Sequence, residues 1–236
     1  LVLNMQLVQK PRENRATRLP RHRVLILVKS PLPLVGRRLH ERQRLLPRVE
    51  ARYDRDGTEE LEVRLLRSGA LRAAGMPFHA RIVGEGPLRP ALEKQAGELG
   101  IGADVTFCGH LAQHEVWEQF DWADVLLHTG VIAPSGDRDG LPNVIPEAMS
   151  CGVLVVTSPT AGTTEAITDG TSGIVADVEA PAQWVAALRR LATDDVLAEK
   201  FRANARRWVE ENFDAHKNAA RLLQQFEATI AQPRSP

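Results

Sequence analysis

Two carboxylates, Asp139 and Glu147, stand with seven residues between them in the stretch GDRDGLPNVIPEAMSCG, residues 136–152. The intervening residues include Gly140, Pro142 and Pro146 among apolar side chains, so the pair brackets a turn and the start of a short helix. Pro142 or Pro146 suits the first helical turn, where a missing N–H costs nothing. A helix start presents free N–H groups and a partial positive charge, which attract phosphate. Carboxylates beside it repel phosphate. They accept charge-assisted hydrogen bonds from hydroxyls instead, and one carboxylate can take two neighbouring hydroxyls, as an acid does with a ribose. Taken alone, the same two acids also suit helix capping and the helix dipole.

The elements that must hold this stretch are readable on either side of it. Short apolar runs predict strands at VLILV (24–28), FHARIVG (78–84), VTFCG (105–109), VLLHTG (125–130), VLVVTS (153–158) and GIVAD (173–177). Between them, helical patterns occupy 65–75, 87–100, 114–123, the segment ending near Cys151–Gly152, and 163–170; helices at 181–193, 194–211 and 215–231 close the chain. Strands alternate with helices, and the strands are apolar on both faces, which predicts a doubly wound parallel α/β sheet covered by helices on both sides, with a helical C-terminal tail. Such sheets bind ligands outside the carboxyl ends of their strands, so the loops at 84–87, 109–114, 129–143 and 158–164 are the ones expected to carry function. The acidic stretch is one of them. Its chemistry suits a ligand with anionic groups in the middle and hydroxylated rings on either side, and a nucleotide-sugar has that form.

Composition sets the outer bounds. The chain has 236 residues and no net formal charge, but residues 10–52 hold 13 Lys and Arg against 3 Asp and Glu, a local excess of +10 that the remainder balances. Such a basic segment can meet an anionic partner such as a phosphate or a lipid headgroup. It lacks interleaved aromatics or a nucleic-acid motif, so no nucleic-acid partner is expected. The two cysteines, Cys108 and Cys151, form neither a disulfide framework nor a metal-ligand spacing; they read as small core residues in a reducing compartment. No apolar run is long enough to span a bilayer and no secretory leader is visible, which points to the cytoplasm, with peripheral contact at the inner face of a membrane left open. Trp117, Trp122, Trp184 and Trp208 lie at helical spacings that suit core or interface. His110, His114 and His128 read as structural or solvated, His128 being the one that ends a strand beside the acidic stretch.

The run DGLPNVIPEAMSCGVLVVTSPTAGTTEAITDGTSGIV resembles the signature of the retaining family-four (group 1) glycosyltransferases, enzymes of the GT-B fold with two Rossmann-like domains. FHARIVGEGPLRPALE, VTFCGHL, the strand VLVVTS and the turn before TTEAI match in the same order, and the likeness covers about residues 73–215. The resemblance implies that Glu147 holds the ribose hydroxyls of a nucleoside-diphosphate sugar. It implies that Asp139, standing where the family usually has Glu, contacts the transferred sugar, with Gly140, Leu141 and Pro142 beside it. Gly84 and Gly109 fall in turns that lie near the nucleotide in that family, though each also suits a plain turn. The family's basic pair for the diphosphate is matched by Arg37 and Arg42 in LVGRRLHER, with Arg42 where Lys usually stands. An alternative alignment onto DGTEELEVRLL (56–66) would lose that pair. No metal or other cofactor is implied beyond the nucleotide-sugar itself.

The resemblance makes residues 68–236 the C-terminal, donor-binding domain of such an enzyme and residues 1–67 an Arg-rich, Pro-interrupted lead expected to be poorly ordered. A second, N-terminal domain carrying the site for a glycan or lipid-linked acceptor is expected in a whole enzyme and is not readable in residues 1–33. Two rivals remain: a sugar-nucleotide epimerase or phosphorylase on the same fold, and a non-catalytic nucleotide-sugar-binding module.

Overall fold

The computed structural model describes residues 22–27, 75–86, 89–130, 140–160, 162–178 and 180–231. Six strands build one sheet: β1 (His22–Leu27), β2 (Phe78–Val83), β3 (Val105–Gly109), β4 (Val125–His128), β5 (Leu154–Thr157) and β6 (Ile174–Val175). The described helices are α1 (Arg89–Glu98), α2 (Gln113–Trp122), α3 (Val144–Ser150), α4 (Thr163–Ala166), α5 (Pro181–Thr193), α6 (Asp195–Asn212) and α7 (Ala215–Ala231).

The strand order is β3-β2-β1-β4-β5-β6 and every pairing is parallel. This is the order of a doubly wound nucleotide-binding sheet, in which the connections reverse direction between β1 and β4 and leave a crevice at the carboxyl ends of those strands. The strand expected at 24–28 is present at 22–27 and occupies the middle of the sheet, in register with β2 from His22↔Phe78 and with β4 from Val24↔Val125. Asp124 fixes its start by accepting from the Arg23 N–H at 3.0 Å through its carboxylate. The sheet therefore extends across the boundary placed at residue 67, taking its central strand from the segment expected to be an Arg-rich lead. The helix expected at 65–75 lies outside the described residues but for Gly75.

Both faces of the sheet are buried, as the continuous apolar strands require. Val125 and Leu127 enter one core with Phe78, Ile82, Leu154, Val156, Trp184, Leu188 and Phe201, while the intervening Leu126 enters the other with Leu25, Phe120, Ile145, Met149 and Val155. Side chains alternate along a strand, so each strand supplies both cores. Helix α6 serves both in turn, through Ala198 and Phe201 on one side and Ala205 and Val209 on the other. Asp194 caps its start by accepting from the Leu197 N–H at 2.9 Å. Cys108 and Cys151 are half-buried against the second core, and Trp184 is buried with its indole N–H donating to the Asp177 carbonyl at 2.8 Å.

Two elements are shorter than their sequence pattern. Helix α4 stops at Ala166 rather than 170, because the next residues hydrogen-bond as a turn. Ser172 Oγ accepts from the Thr168 N–H at 3.0 Å, and Asp169 accepts from the Val175 N–H at 2.9 Å. Short polar side chains compete in this way with the helical backbone pattern. The strand expected at 173–177 keeps its ladder only at Ile174–Val175. Helix α7 differs in another respect: every residue from 215 to 230 is exposed, including Leu222, Leu223, Phe226 and Ile230.

Candidate functional site

The crevice at the carboxyl ends of the strands is bordered on one side by the loops after β2 and β3. Gly84 donates its N–H to the Gly109 carbonyl at 2.8 Å, and the two have φ of 131° and 70°, a region that glycine enters without strain. A Cβ on Gly109 would stand 3.1 Å from Glu85 Oε1 and 3.3 Å from Arg89 Nη1, so the two glycines let this lip fold tightly beneath charged side chains. Arg89 is held by Glu93 at 2.8 Å.

On the other side stands α3. Its anchorage begins with sequence: Ile145, Pro146, Ala148 and Met149 are buried, which seats the helix on β4 and β5 and leaves Glu147 in the first turn, half-buried. At the far end, Arg206 Nη1 donates to the Ser150 carbonyl at 3.0 Å and Arg202 Nε to the Gly152 carbonyl at 3.1 Å. Two guanidinium groups thus satisfy carbonyls at the C-terminal end of α3, where the helix dipole favours positive charge. Glu199 and Glu210 hold these arginines in place, at 2.6 Å each.

Burial pushes the Glu147 carboxyl above its ordinary range, and a hydrogen bond from the Gln113 side chain acts against that rise. A carboxylate taken partly out of water favours its neutral form unless donors compensate. Gln113 opens α2, four residues after Gly109, and it thereby connects the β3 lip to α3. The start of α2 is closed by Glu115, which accepts from the Ala112 N–H at 2.6 Å. A half-buried acid with one neutral donor beside it is suited to accept further hydrogen bonds from a polyhydroxy ligand, each of which would favour its ionised form.

Between the lips, His128 ends β4 with its Nδ1 3.3 Å from Thr157 Oγ1, and Ser158 donates its hydroxyl to the Gly130 carbonyl. The positions singled out from the sequence fall into three sets. Glu147, Gly140, Leu141 and Pro142 share the α3 segment. Gly84 and Gly109 pair at the opposite lip. Asp139, Arg37 and Arg42 lie outside the described residues. Sequence reasoning missed Gln113, Arg202, Arg206, Ser158 and Gly162; Gln113, Ser158 and Gly162 fall in the loops 109–114 and 158–164 already expected to carry function, while Arg202 and Arg206 left no signal. Among the described residues, no group of three or more His, Cys, Asp or Glu is placed to hold a metal ion.

A parallel sheet of this strand order, covered by helices on both faces, defines an α/β protein of the doubly wound, Rossmann-like class. The model of the glycosyl transferases group 1 family matches residues 65–208, and the chain belongs to that family. It is 32% identical over 160 residues to the putative colanic acid biosynthesis glycosyltransferase WcaL of Escherichia coli K12, an alignment that takes in 65% of this chain and 39% of WcaL. The crystal structure of Anabaena Alr3699/HepE in complex with UDP superposes with a TM-score of 0.65 at 18% identity, over 89% of this chain and 49% of that one. The C-terminal domain of a group 1 glycosyl transferase, LpcC of Francisella tularensis, superposes with a TM-score of 0.56 at 16% identity, over 82% of this chain and 86% of that domain. The chain thus spans about two fifths of the curated relative and about half of the HepE chain.

Proposed function

We propose that this chain is the donor-binding, C-terminal half of a retaining glycosyltransferase that takes its sugar from a nucleoside-diphosphate sugar. The observation that carries the reading is Glu147, half-buried on a helix that is anchored at both ends and set beside the sheet's crevice. Its carboxylate accepts both ribose hydroxyls. Asp139, eight residues earlier in the chain, orients the transferred sugar. Charge builds on the diphosphate as the glycosidic bond breaks, and Arg37 and Arg42 offset it, with no metal required. Gly84 and Gly109 allow close approach of the nucleotide to the opposite lip.

WcaL is named for colanic acid biosynthesis, which supports a role in polysaccharide assembly, and HepE was crystallised with UDP, which supports a nucleotide ligand. The acceptor, a glycan or lipid-linked sugar, would be bound by a second domain, and the reaction would take place in the cytoplasm at or near the inner face of a membrane. No helix among the described residues is long and apolar enough to cross one.

The division of labour between the two acids supplies the test. Asp139→Asn weakens binding of the complete sugar nucleotide or slows transfer while leaving the free nucleoside diphosphate nearly unaffected. Titration calorimetry with uridine and guanosine diphosphates and their sugars reads this directly, and equal losses for both kinds of ligand would remove Asp139 from the sugar's side. No binding of any of them by the parent chain would overturn the reading itself.

A further inference from the structure

The connection from β4 to α3 is fixed at both of its described ends by one short loop, the one that follows β5. At the first end, Ser158 donates its hydroxyl to the Gly130 carbonyl and its N–H to the His128 carbonyl, the latter at 3.1 Å. At the second end, Gly162 lies against the Gly140–Leu141 peptide so closely that a Cβ on it would overlap the Gly140 carbonyl and the Leu141 nitrogen. Both neighbours are backbone atoms, which cannot rotate away as a side chain would. Thr163 ties together the described residues around these contacts. Thr163 is fully buried, and its hydroxyl lies 2.8 Å from the carbonyls of Ser158 and Thr160 and 3.2 Å from the Thr160 N–H nitrogen. A buried hydroxyl with every partner satisfied specifies one conformation.

From this geometry we infer that Ser158, Gly162 and Thr163 are positioning residues for the sugar end of the donor, holding the 140–141 peptide in the place from which the donor's sugar is read. The inference rests on the donor reading above. Helix α3 needs no such help: Ile145, Ala148 and Met149 are fully buried and Arg202 and Arg206 hold its other end. Displacing the 140–141 peptide therefore leaves Glu147 where it is. The effect should fall on the sugar and spare the nucleotide.

The experiment compares Gly162→Ala and Ser158→Ala with the parent chain, each titrated with UDP, UDP-glucose, GDP and GDP-mannose. Gly162→Ala forces the two backbones apart, and the affinity ratio of sugar nucleotide to nucleoside diphosphate falls by about tenfold, on the scale of a misplaced reacting group. Ser158→Ala, which removes only one hydroxyl, shifts the ratio in the same direction by about threefold, the scale of one hydrogen bond. Circular dichroism and the thermal midpoint establish that each variant is folded, and if Gly162→Ala is not, Ser158→Ala decides alone. Parallel losses for both ligand kinds would show that the loop only stabilises the fold, and an unchanged ratio would show that it does not position the sugar; either result overturns the inference. Absence of nucleotide binding by the parent would instead overturn the donor reading, and the inference with it.

Discussion

Helix α3 and helix α7 are held in opposite ways. The seven residues of α3 are buried on one side, gripped by two arginines at the C-terminal end and connected through Glu147 to Gln113. The seventeen residues of α7 form a longer and more regular helix, yet its apolar side chains Leu222, Leu223, Phe226 and Ile230 stand in solvent. Length and periodicity make α7 easy to recognise as a helix, while tertiary contacts make α3 rigid. Most helical stability in proteins comes from packing rather than propensity, so the short helix is the better platform for a functional side chain.

The contrast is tested first where the largest effects lie. Trp184→Ala or Phe201→Ala, both fully buried beneath the sheet, should each cost about 3–5 kcal/mol in denaturant unfolding. Phe226→Ala on α7 should change stability by no more than about 0.5 kcal/mol, as for an exposed site. Comparable costs for Phe226 and Phe201 would show that α7 is packed rather than free.

A smaller effect is expected at the end of α3. Arg206→Ala removes a donor from the Ser150 carbonyl and a positive charge from the helix end, and should cost about 0.5–2 kcal/mol. Arg221→Ala on α7 is the matched control and should be silent in the same urea titration.

The smallest effect has a sign that follows from Glu147. Burial raises the folded-state pKa of this carboxyl above the unfolded value. The folded chain thus holds the proton over a pH window in which the unfolded chain has lost it, and stability declines as pH rises through that window. Glu147→Gln has no such proton to lose. The ligand-free variant should melt slightly above the parent at neutral pH, with the gap closing on acidification below the ordinary carboxylate range. A lower midpoint at neutral pH would mean that the ionised Glu147 is stabilised by the fold.

Much of this arrangement was legible in the sequence, for reasons that differ by residue. The strands at 78–84, 105–109, 125–130 and 153–158 are apolar on both faces, and that pattern has few meanings other than a covered parallel sheet. Glu147 was legible because its spacing from Asp139 and the two prolines put it at a helix start. The strand at 22–27 was recognised, but its central place was not, since a run of five apolar residues does not say which strands it pairs with. The end of α4 was misjudged because the turn at Thr168–Gly170 is made by side-chain hydrogen bonds to the backbone, which leave no periodic trace. Ser158 and Gly162 act on backbone atoms about twenty to thirty residues away, and one small residue in a loop carries no record of such a contact. Arg202 and Arg206 read as the polar face of an amphipathic helix, and their reach to α3 depends on how α6 crosses the fold.

The central claim is that Glu147 holds the ribose of a nucleotide, and titration calorimetry of UDP and GDP against the parent chain and Glu147→Gln, from neutral to mildly acidic pH, tests it most directly. The account predicts that at neutral pH the variant binds its nucleotide more weakly by about 1–3 kcal/mol, the scale of hydrogen bonds to a charged group. It also predicts that the gap narrows on acidification as the parent's carboxyl takes up its proton; the nucleotide's phosphates titrate in both and drop out of the difference. Equal affinity of parent and variant at neutral pH, for both nucleotides, would contradict it.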